Sequence, residues 1–138
     1  MSAMTAALIP GWMAVSLGSW SEVAINWPWI LMLLRLGLLM YGEARAQGQS
    51  VLIALLFAYL LVSLPLLNLH VALAGYADLL AGLILLAALV SLYRARLLQS
   101  RRNLLLGVVL LLALVSVKNE GLIWAAAGLE GFAYSLLR

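Results

Sequence analysis

Two charge-free apolar runs joined by a cluster of arginines limit this chain more than any other feature. Leu79–Leu92 and Leu104–Val117 hold no ionisable side chain, and the stretch between them, YRARLLQSRRN, carries Arg94, Arg96, Arg101 and Arg102. Apolar helices with a basic connection read as a membrane hairpin, and the positive-inside rule places that connection in the cytoplasm. His70, Asp78, Lys118 and Glu120 then fall on the other side. Ionisable groups at helix ends cost little where they meet bulk water, so depth decides what they mean. The fourteen residues of Leu104–Val117 rise about 21 Å against a hydrocarbon core of about 30 Å, which leaves Lys118 short of the outer surface. A helix ending in KNEG within the membrane needs a wet cavity or a partner.

Composition agrees with that reading. Of 138 residues, 67% are hydrophobic and 9% charged, with a mean hydropathy of +1.14, which excludes a soluble domain. The expected fold is all-α, an integral membrane bundle of four to five transmembrane helices forming a single membrane-embedded domain over residues 1–138. The net charge is +3, but Arg45, Arg94, Arg96, Arg101 and Arg102 sit in two short connections, so the basic excess reports topology and not nucleic-acid binding. The absence of cysteine excludes disulfides and thiolate metal sites.

Along the chain, residues 1–20 are too short to span, are interrupted at Pro10-Gly11, and lack the basic start and cleavage site of a signal peptide; they read as an interfacial or re-entrant piece. Trp12, Trp20, Trp27 and Trp29 mark one membrane interface, shared by Glu22. Spans are expected at about 23–41, 51–69, 76–93, 104–117 and, more weakly, 122–137. Pro28 is placed near the start of the first span and Gly42 at its end. Arg35 in that span reads as a residue snorkelling to the cytoplasmic end, with phosphate binding or pairing to an acid as the alternative. The polar turn GEARAQGQS follows. Pro65 predicts a kink in the second span that opens space beside Asn68 and His70. His70 is either an interfacial residue or a general base or ligand. Asp78 suits the first turn of the third span, where a carboxylate meets the helix dipole. Ala77, Ala81, Ala88 and Ser91 form a smooth strip for close helix packing, and Asn103 is the expected cap of the fourth span.

Three stretches carry a resemblance. The order WSEVAINWPW, LHVALAGYADL and LVSVKNEGL, within about Trp20 to Trp124, resembles the middle portion of bacterial GT-C-type glycosyltransferases, relatives of the protein O-mannosyltransferases. Those are polytopic enzymes that move a sugar from a polyprenyl-phosphate carrier on the non-cytoplasmic face. The resemblance implies that Lys118 helps to hold the lipid-linked phosphate or sugar, that Asp78 and Tyr76 line the same cavity, and that Glu120 orients Lys118; His70 joins them as a candidate binding residue. It implies no catalytic residue here, because the family's acidic base lies in a loop upstream of the matching segment. The chain is therefore expected to be an internal fragment or truncated product, inactive alone, in a bacterial plasma membrane.

No cofactor is expected. The partners are the lipid bilayer, a polyprenyl-phosphate sugar and other membrane helices or subunits. Two other functions fit the same residues: a non-enzymatic membrane protein packing on a larger subunit through its Ala/Gly strips, and a small transporter using Glu130 or Asp78 as a proton site.

Overall fold

The computed structural model describes the backbone of residues 4–73 and 77–136 and the side chains of 8–73 and 77–134. Among these residues the structure is all-helical: α1 (Met4–Leu17), α2 (Glu22–Ala46), α3 (Val51–Val62), α4 (Pro65–Ala72), α5 (Ala77–Leu98), α6 (Arg101–Val117) and α7 (Gly121–Leu136). The chain divides into two compact units, the first Ala6–Leu80 and the second Ala81–Arg138 together with Met1–Thr5.

In the first unit, α1 runs straight through Pro10-Gly11 and ends at Gly18, whose φ of +66° suits glycine best. The interruption expected at Pro10 is absent. Ser21 then caps α2, its side chain accepting from the Ala24 N–H at 3.4 Å. Pro28 is the seventh residue of α2, well inside the helix, and Gly42 does not end it. The helix continues to Ala46, and the left-handed residue after it is Gly48, at φ +84°. Arg35 therefore lies near the middle of a 25-residue helix, about three turns from its end. Trp29 also departs from expectation: Trp12, Trp20 and Trp27 are exposed, as an interfacial belt requires, but Trp29 is fully buried with Met32 and Leu36 in the packed face of α2.

α2 packs along α3 and against α4. Lipid tails are as apolar as leucine, so helices in a membrane gain by fitting closely and not by leaving water. Gly37 provides that fit, since a Cβ there would lie 2.8 Å from Val62 Cγ1.

The expected kink at Pro65 is a complete break. α3 stops at Val62, α4 begins with Pro65 in its first turn, where its missing N–H is harmless, and the two axes bend by 56°. A break within an apolar stretch exposes carbonyls that lipid cannot satisfy. Asn68 answers this, its Nδ2 donating to the carbonyls of Val62 (2.9 Å) and Leu64 (3.1 Å).

In the second unit, the arginine stretch is mostly helical. Arg94 and Arg96 belong to the last turns of α5 and Arg101 and Arg102 to the first turn of α6, leaving Gln99 (φ +48°) and Ser100 as the turn itself. Ser100, not Asn103, is the cap of α6, accepting from the Asn103 N–H at 3.4 Å. Ala88 and Ser91 of the small-residue strip are buried, and Gly107 of α6 meets α5 there. A Cβ on Gly107 would stand 2.7 Å from the Leu92 side chain and 3.3 Å from the Ala88 carbonyl oxygen. Ala88, Leu92, Leu111 and Ala125 form the core, flanked by Leu85, Leu104, Leu110 and Phe132.

By length and composition α2 and α5 can each cross a membrane, and the bent α3–α4 pair makes a third span if counted as one. α6 and α7, at 17 and 16 residues, rise about 24–26 Å, a little less than the hydrocarbon thickness.

Candidate functional site

The KNEG stretch is a tight connection between α6 and α7. Lys118 takes an extended conformation (φ −148°, ψ 144°) as the cap of α6, its N–H donating to the Leu114 carbonyl. The backbone then closes on itself, with the Gly121 N–H donating to the Lys118 carbonyl at 2.8 Å and the Ile123 and Trp124 N–H groups to the Glu120 carbonyl. Gly121 is required by space: any Cβ there would overlap the Leu114 carbonyl group. In this turn Lys118 Nζ stands 3.5 Å from Glu120 Oε2. The two side chains retain 35% and 57% of their exposure, so the protein does not enclose the pair and it adds little to stability. Lysine at the end of α6 and glutamate at the start of α7 also suit the two helix dipoles.

A second pair closes the gap between α4 and α5. His70 lies in the last turn of α4 and Asp78 in the first turn of α5, each on the side of its helix dipole that favours its charge. His70 Nδ1 is 2.7 Å from the Leu66 carbonyl, and Nε2 is 3.5 Å from Asp78 Oδ2. A carbonyl only accepts, so Nδ1 donates to Leu66 and Nε2 is the ring nitrogen that faces the carboxylate. His70 thus meets a named carboxylate, where the sequence left it between headgroups and chemistry.

Of the other candidates, Tyr76 lies outside the described residues. Arg35 is exposed on α2 and Glu130 is exposed on α7. Asn68, read from the sequence as space beside a kink, is occupied by its own backbone; the signal that finds it is an amide three residues after a proline in an apolar run. Asn26, in the WSEVAINWPW stretch, donates to the Glu22 carbonyl at 3.0 Å, while its Oδ1 is buried and meets no donor among the described residues. No group of three or more potential metal ligands occurs among the described residues.

Chemically, the two sites offer one ammonium and one imidazole, each beside a carboxylate. Neither carboxylate stands alone: Asp78 has the His70 ring beside it and Glu120 the Lys118 ammonium.

These features define a helical membrane protein with ionisable pairs at the ends of apolar helices. Comparison with protein families, curated proteins and solved structures found no match to the chain.

Proposed function

We propose that this chain is the carrier-handling segment of a GT-C-type membrane glycosyltransferase, lodged in a bacterial plasma membrane with α6 and α7 as its fourth and fifth spans. The observation that carries the reading is the KNEG turn: backbone hydrogen bonds close it, and Lys118 and Glu120 are presented together, partly exposed, at the end of a helix a little shorter than the hydrocarbon is thick. A lysine at partial depth keeps its charge only beside an anion or water, and the phosphate of a polyprenyl carrier is a suitable anion. Glu120 holds the ammonium until the phosphate takes its place. No residue of the chain is assigned as the catalytic base, because acid–base activation of an acceptor hydroxyl needs a carboxylate within hydrogen-bond reach of it and the two candidates are paired.

The test is binding by the purified chain in nanodiscs, comparing a polyprenyl phosphate with the uncharged polyprenol. The phosphate is expected to bind in preference. Lys118→Gln should weaken it about tenfold, the loss of one hydrogen bond to a charged group, and Lys118→Arg should retain most of it. Equal binding of phosphate and alcohol, or an unaffected Lys118→Gln variant, would refute the proposal.

A further inference from the structure

At the arginine end of the second unit, α5 and α7 part to leave an open groove of about 410 Å³. Leu89, Leu92 and Leu97 of α5 face Gly128, Gly131 and Phe132 of α7 across it, and Arg96 stands on its wall with Tyr93. A smaller cavity of about 240 Å³ shares Arg96 and Phe132 and adds Arg101, Gln99 and Ser100 from the α5–α6 turn. An apolar trough thus runs into a polar end bearing two guanidinium groups. Neither Arg96 nor Arg101 meets a carboxylate among the described residues. Topology explains why arginines lie at this end of the hairpin; it does not explain why two of them border a trough.

We infer that this groove is a binding site for one anionic phospholipid of the leaflet the arginine turn faces, with an acyl chain along Leu92, Gly128 and Gly131 and the phosphate between Arg96 and Arg101. Charge complementarity selects the occupant. An apolar groove open to a bilayer fills with an acyl chain of any lipid, but two uncompensated guanidinium groups at its mouth favour a headgroup with net negative charge, which planar, multidentate N–H donors bind well. Basic pockets between membrane helices on the cytoplasmic side recognise anionic headgroups in this way. The glycines give the chain room: Gly131 has open space around its Cα, so a side chain there would enter the groove without striking the protein.

The experiment is native mass spectrometry of the full chain released from detergent after incubation with phosphatidylglycerol or phosphatidylcholine. One phosphatidylglycerol should be retained in preference to phosphatidylcholine. Arg96→Gln and Arg101→Gln should each reduce retention about fivefold, the effect of one basic side chain near an anionic surface. Gly131→Leu should abolish retention while circular dichroism shows unchanged helicity, and Arg45→Gln should change nothing. Equal retention of the two lipids, or wild-type retention by the double arginine variant, would overturn the inference. Displacement by inorganic phosphate would make this a free-anion site, and a wild-type dimer that Gly131→Leu converts to monomer would make the groove a helix-docking surface; either overturns it as well.

Discussion

The chain interrupts its apolar helices in two ways. Between α3 and α4 a proline breaks the helix, and the freed Val62 carbonyl is claimed by the Asn68 amide, which also donates to the Leu64 carbonyl. Between α6 and α7 a glycine lets the chain fold back so closely that backbone hydrogen bonds close the turn, and the Lys118 and Glu120 side chains face one another. The contrast shows that a polar residue in an apolar stretch cannot be assigned a role until its backbone has been accounted for. Asn68 is consumed by the fold, whereas the Lys118–Glu120 pair is not what closes its turn.

The largest expected effect falls on the glycine. Gly121→Ala sets a Cβ against the Leu114 carbonyl, a rigid neighbour, and should destabilise the second unit by about 3 kcal/mol, at the upper end for overpacking. Unfolding of the purified chain in mixed micelles measures it; a loss below about 1 kcal/mol would mean the turn is loose. Next comes Asn68→Ala, which strands the Val62 carbonyl, while the Leu64 carbonyl keeps its backbone donors, and should cost about 2 kcal/mol in the same assay. Lesser still, Gly107→Ala presses on Cγ and Cδ2 of the buried Leu92 and should cost about 1.5 kcal/mol, while Gly131→Ala, with open space around it, should lie within about 0.5 kcal/mol of the parent. Lys118→Met should be comparably mild, since an exposed ion pair predicts a change below about 0.5 kcal/mol. A larger loss there would make the pair structural and erase the contrast with Asn68.

Helical class and the approximate element positions could be read from hydropathy, because long charge-free runs and proline have few alternative fates. Ends were harder to read. Gly42 and Gly48 are equally good stop signals, and the helix passes the first because Glu43, Ala44 and Arg45 are all comfortable helix formers, with Ala44 buried. The arginine stretch looked like a loop because it is charged, yet only Gln99 and Ser100 are turn residues. Trp29 could not be told from its neighbouring tryptophans, since period alone does not show which side of a helix meets another. At the candidate site, Lys118 and Glu120 were legible as a short-range pair. The His70–Asp78 contact was not, because it depends on how α4 is redirected after Pro65. Nor was the trough beside Arg96, which requires the spacing between α5 and α7.

The central claim is that the α6–α7 turn meets a phosphate carrier on the side opposite the arginines, and the absence of cysteine makes it directly testable. Asn119→Cys and Gln99→Cys would be labelled with an impermeant maleimide in membrane vesicles of each orientation, with and without added polyprenyl phosphate. The account predicts that position 119 is labelled only from the non-cytoplasmic side and is protected by polyprenyl phosphate but not by polyprenol, while position 99 is labelled only from the other side and is indifferent to both. Labelling of both positions from one side, or no protection at 119, would contradict it.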